Sequence, residues 1–554
     1  MRKWTKISLF STVAVGLTAG IIALPFSLSV VGKNELVFGN FQAYMSPELM
    51  NTLQKKYDIN WAYYGTNAEI PTYVNNKTFA LQVATNNMAA QLALQGKIQR
   101  IDWSKFHLWN NQTNSPVTNY WDLKGVVTPV IWNLCEQVAQ ECGIKGYDHH
   151  EGNLLEYSIP YFLQDFVFAY RGPKIKSLNS DSSFYDIFKY ITDSKIKNNR
   201  FLGGNSKVMM VKDARTEWDV AKLIREVKNN VPDEQININP GWGYNSSYNA
   251  NEPISKTNER WINHHGWTMK KGVQAKRNDA PDINWLIKQY ETISNFYKGL
   301  NPNTITLNTN SSPILNKLAS NQIKGAFLYN GDAVYSAAGG DNASNTPNLP
   351  EFGKDCNPQN EFHFIMPKQN FLAMDGITID SYTQGQQLQK VYQIAYDVSL
   401  SGLPTYKVNS KGQPVGKNGQ VLTEAEQKNP ANYVVENKSY MAMGDEDKDG
   451  NYTFGSMQNF DFVNYTPCYQ NLLTYATKVY FGPVEADITK DMTPAEKAAA
   501  EQSAAEQSAR NALQSKLLNI QYTAKEMNGK VDLPVNELTF SNMNLAFSTF
   551  NDKI

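Results

Sequence analysis

An α/β protein of two lobes, each with a mostly parallel sheet, is what the sequence predicts, and three observations carry that expectation. Strand-like and helix-like stretches alternate from the first ordered segment onward, the pattern of a sheet layered with helices. The alternation occurs twice, once from about residue 35 and again from about residue 170 to 370. Two apolar segments, "SIPYFLQDF" (158–166) and "MPKQNF" (366–371), read as the places where the chain passes between the lobes, which leaves a cleft there.

The elements follow from local signals. "ELVFGNF" (35–41) is a compact apolar run that ends in polar residues, and Ser46 and Pro47 then supply the N-cap and first-turn signals for a helix over "PELMNTLQKKY". "INWAYYG" (59–65) resumes the strand pattern. In such sheets ligands sit at the carboxyl ends of strands, which directs attention to the loops "GNFQAY", "YGTNAE" and "ATNNMA". In the second stretch, "KVMMVKDARTEWDVAKLIREV" (207–227) is a strand running into a helix, and "QIKGAFLYNGDAVYSAAGG" (322–340) is a strand ending in a polar loop. In "FLAMDGITID" (371–380) an acid interrupts an apolar segment. Two stretches look like insertions. Residues 405–456 are rich in Lys, Asn, Gly and Glu, and residues 493–518 form a strong alanine-rich helix with Thr493 as N-cap, Pro494 at N1 and Glu496 at N3.

The 554 residues suffice for two or more domains, and Lys plus Arg equals Asp plus Glu at 52 each, so no overall basic excess steers the chain onto nucleic acid. The four cysteines, Cys135, Cys142, Cys356 and Cys468, form no CxxC pair and read as buried thiols. The leading residues stand apart. Arg2, Lys3 and Lys6 precede an uncharged stretch, "ISLFSTVAVGLTAGIIALPFSLSVV", long enough to cross a bilayer, with the basic flank kept inside and the rest outside. A bacterial lipoprotein would carry a cysteine just after such a segment, and none precedes Cys135, so an uncleaved signal anchor is expected over a cleaved signal peptide.

Nothing fits nucleophilic catalysis: GxSxG, Walker A and HExxH patterns are all missing, and the adjacent pairs His149–His150 and His264–His265 lie in polar loops, where one metal is rarely reached by both. "DEDKDGNY" sets Asp445, Asp447 and Asp449 before Gly450 like the first half of a calcium loop, but the twelfth position is Ser456 instead of Glu, so a solvated turn competes with a structural calcium site. What remains are acids and aromatics at strand ends: Phe41, Tyr44, Tyr161, Asp213, Glu217, Tyr329, Asp332 and Asp375. Each has an ordinary structural explanation, such as a helix N-terminal acid for Asp213, a core aromatic for Tyr44 or a turn residue for Asp332. Gathered in one cleft, carboxylates and aromatic rings form a cage for an elongated organic cation, with charge-assisted acceptors for each ammonium and ring faces for the methylenes.

The motifs "LVFGNFQAYMSPELMNTLQKKYDINWAYYGTN", "LALQGKIQRIDWSKF", "YSIPYF", "MMVKDARTEW", "GAFLYNGDA", "IMPKQNFLAMDGITI" and "NYTPCYQN", taken in that order, resemble the extracellular binding proteins of bacterial spermidine/putrescine ABC importers, the PotD type. The resemblance covers most of residues 35–400 and, more thinly, the C-terminal part. It implies a two-lobed, periplasmic-binding-protein-like fold of type II that closes on a hinge, without catalysis, cofactor or metal. The implied boundaries are a signal anchor at 1–33, lobe 1 at 34–168 and again at 371–475 with the insertion 405–456, and lobe 2 at 169–370 and 476–554 with the insertion 493–518.

Carried over by position, the resemblance makes Phe41 and Tyr44 the first aromatic wall, places Thr85 and Asn87 on the cleft lining, and makes Asp213 and Asp375 acceptors for amines. Tyr329 stands where the family has a tryptophan. Departures are specific. The expected glutamate falls on Thr216 with the acid one place later at Glu217, a rotation of about 100° on a helix. Ala43 and Ala373 replace an acid and a second tryptophan, while Asp332 supplies an acid where the family commonly has a small polar residue. The implied partners are a polyamine, a permease pair with its ATPase, and the membrane through the anchor, on the extracellular face of the plasma membrane. Two other readings stay open: a receptor of the same fold for iron or thiamine, and a surface adhesin or structural protein that kept the fold.

Overall fold

The computed structural model describes residues 36–42, 44–146, 150–202, 208–211, 284, 287, 305–308, 312–340, 361–367, 370, 372–522 and 537–551. The expected anchor, Ala43, Asp213, Glu217, His149, His264–His265 and Cys356 lie outside the described residues. Among the described residues no helix is long and apolar enough to cross a membrane.

Among the described residues, ten strands make one sheet. They are β1 (Leu36–Phe41), β2 (Ile59–Tyr64), β3 (Leu81–Thr85), β4 (Ile159–Arg171), β5 (Val208–Val211), β6 (Ile305–Asn308), β7 (Gly325–Tyr329), β8 (Phe362–Ile365), β9 (Leu372–Ile379) and β10 (Thr466–Pro467). The order is β2-β1-β3-β9-β4-β7-β5-β6, with β8 and β10 also paired to β4. Parallel pairing holds at the two flanks, β1 with β2 and β3, and β5 with β6 and β7. The centre differs from the mostly parallel sheet expected, because β9, β7, β8 and β10 all run antiparallel to β4, and β9 also to β3.

The thirteen-residue strand β4 joins the two halves. Its residues 159–165 pair with β9, and Phe166–Tyr170 pair with Tyr329–Gly325 of β7. The partner change falls at Asp165/Phe166, inside "SIPYFLQDF", and "MPKQNF" is the link from β8 on one half to β9 on the other. β4 is buried along nearly its whole length, as a strand covered on both faces must be.

The local signals at helix starts act as expected. In α1 (Pro47–Tyr57) the Ser46 hydroxyl accepts from the Leu49 N–H, and Pro47 needs no partner at the first position. α2 (Asn86–Leu94) and α3 (Asn330–Ala337) follow β3 and β7 directly, with Thr85 and Tyr329 at their N-caps. α4 (Pro494–Leu518) opens with the reciprocal Thr493/Glu496 box. Its C-terminal turns are more than a surface feature, since Asn511, Gln514, Leu517 and Leu518 are buried. Residues 405–456 carry a small apolar core of their own, Tyr406, Leu422 and Tyr433 packed on Trp109.

Cys135, Cys142 and Cys468 are free, buried thiols, and burial raises the pKa of each. In the acidic turn, one Asp447 carboxylate oxygen accepts from the N–H groups of Asp449 and Asn451, so the backbone uses the group that calcium would need. Among the described residues no cluster of three or more His, Cys, Asp or Glu side chains could hold a metal.

Candidate functional site

The carboxyl ends of β1, β3 and β7 face the point where β4 changes partners, and two buried acids flank it. Asp375 lies in mid-β9, yet its register partner is Thr85 at the end of β3, and on the other side it pairs with Phe162 of β4. The register slips between Asp375 and Gly376. Glycine is needed here because a Cβ on Gly376 would meet the Ser158 hydroxyl at 2.0 Å. Asp332 sits in the first turn of α3, three residues past Tyr329, which pairs with Phe166.

Asp375 is 1% exposed. One carboxylate oxygen, Oδ2, accepts from the Tyr44 hydroxyl at 2.6 Å and from the Gln164 amide at 2.5 Å, while Oδ1 is buried and, among the described residues, without a hydrogen-bond partner. Asp332, also buried, has the same arrangement: Oδ1 accepts from the Tyr465 hydroxyl at 2.7 Å and Oδ2 has no partner among the described residues. Burial pushes both carboxyls up to about 7, and the tyrosine and amide donors only partly offset it. The Tyr44 and Tyr465 hydroxyls are raised well above their ordinary value, first by burial and then by the neighbouring carboxylates, so both stay protonated donors.

The rings join the two acids into one site. Tyr44 and Tyr465 meet edge to face with centroids 5.5 Å apart, and Phe41 lies edge-on to Tyr44 at 5.9 Å. Tyr329 meets Phe166 at 5.5 Å and is close enough to act electrostatically on Tyr465. Tyr161 serves this wall from behind: its hydroxyl donates to the Tyr44 carbonyl at 2.6 Å and accepts from Asn459 at 2.6 Å.

Of the residues expected from sequence, Phe41, Tyr44, Tyr329, Asp332 and Asp375 come together in this way, and Thr85 stands beside Asp375 in the register. The Asn87 carbonyl oxygen is engaged locally, by the Met88 N–H at 2.6 Å and by the Thr85 hydroxyl. Asp213 and Glu217 lie outside the described residues. Sequence reasoning missed Gln164 and Tyr465 as site residues, although both fall inside motifs it singled out. A tyrosine flanked by polar residues at the start of "NYTPCYQN" was the available signal for the second.

Gly331 is what lets Tyr465 lie where it does. A Cβ at Gly331 would stand 2.6–2.8 Å from three atoms of the Tyr465 ring, at its rooted end. Gly331→Ala is therefore expected to push the ring off Asp332 and to cost stability by about 1–3 kcal/mol, read by chemical denaturation. Tyr465→Phe, which removes the hydroxyl and keeps the ring, separates loss of the hydrogen bond from loss of packing.

No curated protein matches the chain. Among solved structures it is similar to a putative spermidine/putrescine ABC transporter protein from Listeria monocytogenes, at 13% identity over 94% of this chain and 100% of that one, with a TM-score of 0.42. A spermidine/putrescine substrate-binding protein PotD from Streptococcus pneumoniae matches at 12% identity over 93% and 99%, TM-score 0.38. The periplasmic binding protein AfuA from Actinobacillus pleuropneumoniae, with fructose-6-phosphate bound, matches at 11% over 65% and 78%, TM-score 0.32. At these values the ligands belong to those proteins alone. The family is fixed by a separate match, to the model of the hypothetical lipoproteins of the MG045 family over residues 1–519, and the chain belongs to that family.

Proposed function

We propose that this chain is the extracellular solute-binding component of an ABC importer and that its ligand is a polyamine of the spermidine/putrescine class. The observation that carries the reading is the pair of buried acids, Asp375 and Asp332, each with one oxygen held by a tyrosine and the other without a partner among the described residues. Among the described residues no lysine or arginine shifts either acid. A buried carboxylate left in that state is costly, and an ammonium is the group that both neutralises it and supplies N–H donors. Two such acids, separated by the Tyr44–Tyr465 ring pair, suit two ammonium groups joined by methylenes that lie against ring edges and faces.

The iron reading has less support. It would draw on adjacent tyrosines such as Tyr63 and Tyr64, but Tyr63 points to the exposed face while the buried Tyr64 hydroxyl is bonded to the carbonyls of Gly39 and Val83. Capture would proceed by closure of the two halves about β4 and the 366–371 link, followed by docking on a permease pair. The family description is of lipoproteins, yet the first cysteine in the chain is the buried Cys135. Residues 1–33 remain our proposed membrane attachment, with the receptor on the outer face. Equilibrium dialysis of the protein against labelled spermidine, with putrescine and an uncharged diol as competitors, tests the ligand class. Displacement by putrescine but not by the diol supports the reading, whereas no retained label contradicts it.

A further inference from the structure

The side chain of Asn330 is fully buried and uses all it has to tie four segments together. Its carbonyl oxygen accepts from the Asp165 N–H at 3.0 Å, at the residue where β4 changes partners. Its amide donates to the Thr466 hydroxyl of β10 at 2.8 Å and to the Leu517 carbonyl in the last turn of α4 at 2.9 Å. The Thr466 hydroxyl in turn donates to the Leu518 carbonyl at 3.1 Å. Asn330 opens α3 two residues before Asp332, and Thr466 directly follows Tyr465. The Asn330–Thr466 bond therefore holds together the two short segments whose next side chains form the Tyr465–Asp332 pair.

We infer that Asn330 is a positioning residue, which through Thr466 sets the Asp332–Tyr465 half of the site and couples it to the β4 crossing and to the end of α4. Its three hydrogen bonds run in the directions that a planar amide offers, one acceptor and two donors, which serine, aspartate or leucine cannot reproduce. Losing them frees α3 to shift against β10. The ring of Tyr465, seated on Gly331 between these two segments, then loses its register with Asp332. Asp375 is held by Tyr44 and Gln164, neither of which bonds to Asn330 or Thr466, so it feels this joint only indirectly, through the Tyr44–Tyr465 ring contact.

The consequence for ligand affinity rests on the polyamine reading, so the test has one arm without ligand. In the full-length protein labelled at aspartate Cγ, the Asp332 signal is assigned by its loss in Asp332→Asn, and its titration is followed in the parent, Asn330→Ser and Thr466→Val. In the parent, burial pushes this carboxyl up to about 7. Both variants are expected to move it upward, because the Tyr465 donor that favours the charged form is displaced, and to move Asp375 less; Thr466→Ser, which keeps the hydroxyl, restores the parent titration.

In the second arm, Asn330→Ser weakens spermidine binding about 10- to 100-fold in the parent background but by less than about twofold when Asp332 is already asparagine. An Asp332 titration unchanged in both variants overturns the inference. So does a loss of affinity just as large in the Asp332→Asn background. Should Asn330→Ser fail to fold, Thr466→Val carries both arms. If the parent binds no polyamine, the ligand reading fails and the titration arm alone decides the positioning claim.

Discussion

Asp375→Ala is expected to weaken spermidine binding by about 2–5 kcal/mol, roughly 30- to 5,000-fold, as truncating one partner of a desolvated charged pair does. Calorimetric titration of parent and variant measures it. The size follows from the site: the acid is 1% exposed, two donors fix its orientation, and its second oxygen has no hydrogen-bond partner among the described residues. The same substitution should leave the empty protein as stable as the parent or more so above pH 8, because it removes a charge that burial opposes. Asp375→Asn keeps more of the packing and should show this gain most clearly, up to about 4 kcal/mol at pH 8 and none at pH 4. Weaker binding together with higher stability marks a group kept for its ligand. Weaker binding together with lower stability would make Asp375 a structural residue.

The second large effect is on pH. With both carboxyls pushed up to about 7 in the empty protein, each is mostly protonated at pH 5–6 and mostly ionised at pH 8. An ammonium against either one lowers its pKa, so binding below pH 7 must release protons. Affinity should rise as pH goes from 5 to 7, by up to about a hundredfold per unit while both acids are protonated, and level off above pH 8. Stability of the empty protein has the opposite sign. The folded pKa values lie above the unfolded ones, near 3.8, so the protonated acids favour the folded state at low pH and that contribution is lost as pH rises from 4 through 7. Binding heats compared in buffers of different ionisation enthalpy count the protons directly. The expectation is one to two released at pH 6 and none at pH 9.

What could be read from the sequence was what is local. The Ser46–Pro47 start, the Thr493/Glu496 box, and the placing of Phe41, Thr85 and Tyr329 at strand ends depend on a few neighbouring residues, and the structure bears each of them out. Asp375 and Asp332 could be singled out because an acid inside an apolar run, or just past one, stands out by itself. Their partners could not. Tyr465 lies 133 positions from Asp332 and Gln164 lies 211 from Asp375, and alternation along one strand carries no information about which distant segment lies across from it. The antiparallel centre of the sheet was hidden for the same reason. β9 and β7 look like any other apolar runs, and their direction relative to β4 is set by the path of the whole chain. Asn330 carries no local signal that sets it apart in the sequence, although its amide is the joint for four segments.

Calorimetric titration of the full-length protein at pH 8 with spermidine, putrescine and an uncharged diol of matching length tests the central claim most directly. Saturable heat with at least one polyamine, none with the diol, and loss of that heat in Asp375→Ala is the result this account predicts. Absence of heat with both polyamines, or equal binding of the diol, would contradict it.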